Sequence, residues 1–130
     1  MSKVSIVIPC YFNELNVAET YKVLVRDVFE KRKDIEFEIV FVDDGSRDKT
    51  LDELKKVQTY DNHVKIVKLS RNFGEFRAIV AGMSQATGDA IAVMSADLQD
   101  PPYLITEMIQ YWQQGEKVVI AARNKRDEPW

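Results

Sequence analysis

Five short runs rich in β-branched residues alternate with four stretches of helical periodicity, and this alternation leaves few folds open to the chain. The runs are Val4–Ile8, Phe37–Val42, Val64–Leu69, Ala90–Met94 and Lys117–Ala121. Most are continuously apolar instead of alternating, as expected of parallel strands covered on both faces. Between them, four groups each share one helical face: Val17, Tyr21, Leu24 and Val28; Leu51, Leu54 and Val57; Phe76, Ile79, Val80 and Met83; and Leu104, Ile105, Met108, Ile109 and Trp112. All four are expected to pack into the core. Strand–helix alternation with right-handed crossovers predicts an α/β fold: a doubly wound, mainly parallel sheet in three α/β/α layers. No internal repeat or low-complexity segment interrupts it.

At 130 residues the chain is one domain, spanning 1–130. Eighteen basic and 21 acidic residues leave a net charge of -3, which argues against binding a nucleic-acid backbone. A single cysteine and a single histidine exclude an internal disulfide, a multi-cysteine zinc site and a histidine cluster. No apolar run reaches the ~20 residues of a membrane helix. The first run starts at Val4, which predicts a cytoplasmic chain with no signal peptide. Its end, Arg123-Asn124-Lys125-Arg126-Asp127-Glu128-Pro129-Trp130, follows a strand-like run without a closing helix. A domain cut short on its C-terminal side is expected. Asp100 and Pro101-Pro102 are expected to open the last helix, and Gly88 and Gly115 to close two others.

In a doubly wound sheet, ligands sit outside the carboxyl ends of the strands where the winding reverses. That rule selects four loops: Pro9–Glu14, Asp43–Asp48, Ser70–Gly74 and Ser95–Asp100. Asp43 and Asp44 are adjacent carboxylates that need donors, and a nucleoside supplies them through a base N–H and ribose hydroxyls. Gly45 allows close backbone approach, while Asp48 and Asp100 read as capping residues. Arg71 offers a planar donor fork to a base or phosphate. Asp97 and Gln99 alternate along their loop and offer hard oxygen ligands for Mg²⁺ or Mn²⁺, which would in turn bind a diphosphate. Tyr11 could stack on a base, and Glu14 could accept from it or from a ribose. Cys10 reads as a small buried residue, since no histidine lies near it in sequence to activate it. His63 precedes the third strand, at the wrong end of the sheet.

Together these segments resemble the family 2 glycosyltransferases of GT-A fold, most closely the branch that loads sugars onto polyprenyl phosphate (the dolichyl-phosphate mannose synthase and bactoprenol glucosyltransferase type). The resemblance rests on Val42-Asp43-Asp44-Gly45-Ser46, Arg71-Asn72-Phe73-Gly74 and Ala96-Asp97-Leu98-Gln99-Asp100-Pro101-Pro102, and runs through nearly the whole sequence. It implies a nucleotide-sugar pocket formed by Pro9, Tyr11, Glu14, Asp43, Asp44, Arg71 and Asp97, with Arg123 and Arg126 helping to hold phosphate groups. Asp97 and Gln99 match the metal-binding loop, and Asp97 is the one carboxylate given a catalytic part. The donor implied is a UDP-sugar, with a GDP-sugar as the other option. The acceptor implied is a polyprenyl phosphate or another glycan or lipid. Where this loop usually carries a further aspartate the chain has Ser95, so Mg²⁺ or Mn²⁺ is expected to bind weakly until a nucleotide adds negative charge. The branch continues into an acceptor-binding half and often into a membrane anchor, which implies a parent protein on the cytoplasmic face of the membrane.

Two other readings suit parts of the pattern. A non-catalytic nucleotide-sugar-binding module would need the same donor residues. A Mg²⁺-binding phosphoacceptor receiver domain has a similar length, but it needs its acidic pair after the first strand and a lysine after the fifth. Here the pair follows the second strand and Lys117 opens the fifth run.

Overall fold

The computed structural model describes residues 1–99 and 101–115. In order they form β1 (Lys3–Cys10), α1 (Val17–Leu24) continued by a π-helical turn over Val25–Phe29, β2 (Glu36–Asp43), α2 (Thr50–Tyr60), β3 (Val64–Lys68), α3 (Glu75–Gln85), β4 (Ala90–Val93) and α4 (Leu104–Gln113). The four strands pair in parallel in the order β3-β2-β1-β4. Chain order runs outward from β1 to β3, then jumps back across β1 to β4. The winding therefore reverses between β1 and β4. The expected fold is present in these residues, while the fifth run, Lys117–Ala121, lies outside them.

β1 and β2 are buried almost end to end, which explains why most of their residues are apolar. On one sheet face Val4, Ile6, Ile8, Ile39 and Phe41 pack with Val17, Leu24 and Val28, with Leu54 and Val57 of α2, and with Ile105 and Ile109 of α4. On the other face Val7, Val40 and Val42 pack against α3 through Ala78. Three of the four expected stripes are thus core stripes.

The α3 stripe differs from expectation. Phe76 is 78% exposed, Val80 49% and Met83 43%. The buried side of α3 is instead made of small residues, Ala78 and Gly82. A Cβ at Gly82 would lie 2.6 Å from Val7 Cγ1 and 2.8 Å from Val42 Cγ2, so the helix backbone rests directly on the sheet. Close approach selects for small volume there, and the larger apolar residues of α3 are left exposed, as are Ile91 and Val93 of β4. Gly88 is not a helix cap either. It sits where a Cβ would come within 2.7 Å of the Ser5 nitrogen, and it donates its N–H to Ser5 Oγ. Gly115, at φ +104, does close α4, donating its N–H to the Trp112 carbonyl. Asp100 lies outside the described residues.

At the amino-terminal rim, one acid inside the second apolar run organises the sheet. Glu38 is 2% exposed. It accepts from Ser5 Oγ at 2.6 Å and from the Thr87 N–H at 2.7 Å, and Lys65 Nζ lies 2.9 Å away. These contacts tie β1, β2, β3 and the α3–β4 turn together. Burial pushes the Glu38 carboxyl up, but the hydrogen bonds from Ser5, Thr87 and Lys65, with the Lys65 charge, outweigh it and bring it down to about 2 from the usual 4.5. A carboxyl depressed by folding contributes stability above its unfolded value and loses it as pH falls toward the folded one. Stability should therefore fall between about pH 4.5 and 2, by roughly 2–3 kcal/mol from this group. Urea unfolding of Glu38→Gln should be less stable at pH 7 and show a flatter loss across that window; an unchanged acid limb would exclude this account.

Candidate functional site

The carboxyl ends of all four strands open on one rim, and the loops there are tied to each other more than to the strands. The β1 loop leans on the β2 loop: Phe12 donates its N–H to Ser46 Oγ at 3.0 Å, and Asn13 donates to Thr50 Oγ1 at 2.8 Å. The β2 loop touches the β3 loop at Gly45. That residue has φ +73, and a Cβ there would lie 2.3 Å from the Arg71 carbonyl carbon and 2.4 Å from the Asn72 nitrogen. Only glycine fits, for reasons of both conformation and space. Below the rim, the Thr20 hydroxyl holds the Ala96 carbonyl of the β4 loop.

The three acids of the β2 loop have separate partners. Asp44, 3% exposed, accepts three hydrogen bonds: from the Phe73 N–H at 2.8 Å, Asn72 Nδ2 at 3.0 Å and the Gly74 N–H at 3.1 Å. Its carboxylate shapes the β3 loop, so the donors that adjacent carboxylates require come, for Asp44, from the chain itself. Asp43, 1% exposed, accepts only the Ser46 N–H, at 3.1 Å through Oδ1. Its Oδ2 has no partner among the described residues. Asp48 is not the N-cap, which is Lys49; one position earlier, it accepts from the Thr50 N–H and hydroxyl at 3.0 and 2.6 Å and so holds the first residue of α2.

Two adjoining hollows result. The first, about 320 Å³, lies at the switch point between β1 and β4 and is lined by Pro9, Cys10, Tyr11, Asn13, Asp44, Asn72, Glu75, Ser95, Ala96, Asp97 and Gln99. The second, about 510 Å³, lies over the β2 and β3 ends and includes Tyr11, Phe12, Asp43, Ser46, Arg47, Lys68 and Arg71 in its lining. Tyr11 and Asn72 belong to both. Their charges are opposed. Asp44, Glu75 and Asp97 line the first without any basic side chain, whereas Arg47, Lys68 and Arg71 line the second and form no ion pair among the described residues. Tyr11 and Phe12 are half exposed and meet edge to face at 4.6 Å. The Arg71 guanidinium lies 4.4 Å over the Phe73 ring. Phe12 (φ 55) and Leu98 (φ 61) hold left-handed backbone unusual for such residues, one in each loop that flanks the switch point.

The rim thus assembles Pro9, Tyr11, Asp43, Asp44, Arg71, Asp97 and Gln99. Glu14 lines neither hollow, and its N–H faces Asp48 at 3.4 Å. Arg123 and Arg126 lie outside the described residues. Burial, with the neighbouring Asp43 charge, pushes the Cys10 thiol far above its usual range, which suits an inert core residue. His63 is exposed beside Asp61 at the opposite rim. The sequence analysis did not single out Phe12, Arg47, Lys68, Asn72 or Glu75. Phe12, Arg47 and Asn72 lie in loops it had selected, whereas Lys68 ends β3 and Glu75 opens α3, just outside them.

The pattern described as Glycosyl transferase family 2 matches residues 5–130, and the chain belongs to that family. It is 49% identical over 122 residues to an uncharacterized glycosyltransferase, YkcC, of Bacillus subtilis, covering 94% of this chain and 37% of that protein. It is 41% identical to a prophage bactoprenol glucosyl transferase homolog of Escherichia coli, covering 95% and 40%. The chain therefore spans about two fifths of the length of these relatives. Among solved structures, S. aureus TarS 1-349 in complex with UDP-GlcNAc is 27% identical with a TM-score of 0.68, over 86% of this chain and 31% of that one. A mannosyltransferase from Pyrobaculum calidifontis, solved with GDP-Man and Mn²⁺, shares the fold at a TM-score of 0.76 and 18% identity, over 97% and 37%. Family membership removes the receiver-domain reading.

The geometry separates a brace from a ligand-binding group. Asp44→Asn turns one acceptor into a donor facing donors and should cost about 2–4 kcal/mol in chemical denaturation, the range for lost hydrogen bonds to a charged group. Hydrogen exchange at the Phe73 and Gly74 amides should quicken with it. Slow exchange at both amides in the variant would mean that Asp44 does not hold that loop.

Proposed function

We infer that this chain is the donor-binding part of a glycosyltransferase, which moves a sugar from a nucleoside diphosphate sugar to a polyprenyl phosphate or a related lipid or glycan acceptor. One observation carries the reading: a hollow with aromatic and basic walls around the open oxygen of Asp43 adjoins an acidic cleft containing Asp97 and Gln99, at the switch point of the sheet. The second hollow, around Asp43, suits a base and ribose. Tyr11 stacks on the base, Arg71 borders it, and Asp43 Oδ2 accepts a base N–H or a ribose hydroxyl. A UDP-sugar is the favoured donor. The UDP-sugar complex of TarS and the bactoprenol transferase relative support donor and acceptor class respectively.

The cleft suits the diphosphate. Asp97 and Gln99 bring one carboxylate and one amide oxygen, a donor set that fits Mg²⁺ or Mn²⁺ when the ligand completes the shell. Among the described residues no group of three acids, histidines or cysteines could hold a metal unaided. The metal would supply positive charge for the departing diphosphate. Asp97 would hold it there, and in that sense is the catalytic carboxylate. Pro9 lines the cleft beside β1 and, having no N–H, offers no backbone donor of its own. Glu14, Arg123 and Arg126 are proposed to complete the donor site in the whole protein. An acceptor phosphate is already anionic, so the reaction asks for no strong base, and the main work is positioning and charge stabilisation. The acceptor site and a membrane attachment are proposed to lie in the part of the whole protein that corresponds to the remaining length of the relatives. No helix among the described residues is long and apolar enough to cross a membrane.

Calorimetry with UDP, GDP and dTDP tests the donor site. Asp43→Ala should weaken UDP binding by about tenfold or more, the equivalent of one hydrogen bond to a charged group. Asp97→Ala should remove the dependence of UDP binding on Mn²⁺. Sugar transfer to polyprenyl phosphate is expected from the full-length protein, not from the 130-residue chain. Undiminished UDP and GDP binding by Asp43→Ala, or transfer by the short chain, would contradict the assignment.

A further inference from the structure

The acidic cleft presents an electrostatic difficulty. A diphosphate entering it meets Asp44, Glu75 and Asp97 and no lysine or arginine among the lining residues. Among the described residues only neutral donors remain to help, and most polar side chains there are already committed. Asn13 Oδ1 accepts from the Tyr11 N–H, and Asn13 Nδ2 donates to Asn16. Asn72 Nδ2 donates to Asp44, whose two oxygens already accept three bonds.

One group on the cleft wall stands apart. Ser95 lines the cleft, and its Oγ is buried and has no hydrogen-bond partner among the described residues. A buried hydroxyl without a partner carries a desolvation cost, and one on a cleft-lining residue recovers it when rotation about χ1 brings it to an acceptor on a ligand. Its backbone is well placed for this. Met94 donates its N–H to the Val7 carbonyl and the Thr20 hydroxyl pins the Ala96 carbonyl, so Ser95 is fixed on both sides.

We propose that the Ser95 hydroxyl donates a hydrogen bond to an anionic oxygen of the diphosphate held in this cleft. The inference rests on the donor-site reading above. Serine is suited to the position because it donates without adding charge. A carboxylate there would be a fourth negative group facing the diphosphate, improving the site for a cation alone and worsening it for the nucleotide alone.

The role predicts effects of opposite sign in one variant. Ser95→Ala removes the unpartnered hydroxyl, so the unliganded chain should unfold at the same or a higher temperature. The same variant should bind UDP about tenfold more weakly, as expected for one hydrogen bond to a charged acceptor, and bind uridine as before. Ser95→Asp should bind UDP more weakly in the presence of EDTA and bind Mn²⁺ more tightly without nucleotide. Calorimetry with UDP and uridine, Mn²⁺ titration followed by electron paramagnetic resonance, and thermal unfolding give all the readouts. A lowered unfolding temperature in Ser95→Ala, undiminished UDP affinity, or an equal loss for uridine and UDP would overturn the proposal. Failure of UDP to bind the unmodified chain at all would instead overturn the donor-site reading on which it rests.

Discussion

β1 is hydrogen-bonded on both sides, to β2 and to β4, with all three strands parallel. Parallel pairing sends every strand out at the same rim, so four loops far apart in sequence must meet there. It also forces each connection across a sheet face. The crossovers through α1 and α2 cover one face and that through α3 covers the other, and the change of face coincides with the jump from β3 to β4. The β1 and β4 loops thus diverge and leave a cleft between them. The same pairing explains the devices away from the site: Gly82 lets α3 lie on Val7 and Val42, Gly88 lets the chain pass Ser5, and Glu38 joins the strands at the far rim.

At the rim, chemistry follows partners more than residue type. Asp43, Asp44 and Asp48 lie within six positions, yet they do different things. Asp48 holds the first residue of α2, Asp44 takes three hydrogen bonds from the β3 loop, and Asp43 keeps one oxygen open toward the hollow. The charges are likewise sorted, with cations around the hollow suited to base and ribose and acids around the cleft suited to metal and diphosphate. A nucleotide spanning both would place its most negative part where the protein is itself negative. Such a site depends on a cation and on neutral donors, and Ser95 answers the second need. Left-handed backbone at Phe12 and Leu98, one on each side of the switch point, is strain that the surrounding loops must hold in place.

The sequence alone determined the fold class, because a parallel strand buried on both faces leaves a continuous apolar run, and alternation with helical stripes admits little but a doubly wound sheet. It determined the four loops too, since the carboxyl ends of strands are legible once the strands are, and the motifs in them were specific enough to indicate the family. Tertiary structure decided the rest. Phe76, Val80 and Met83 have the spacing of a core stripe, yet the sheet accepts only Ala78 and Gly82 at that distance, and closeness of packing has no period in sequence. Gly88 reads as a helix cap until the Ser5 backbone is placed against it. Glu38 is an odd letter in an apolar run until Ser5, Lys65 and Thr87 converge on it. Asp43 and Asp44 look equivalent as neighbours, and only the fold of the β3 loop shows which is consumed and which is open. In each case the deciding partner lies 28 or more positions away, as Asn72 does from Asp44, or in another element, where local pattern carries no information about it.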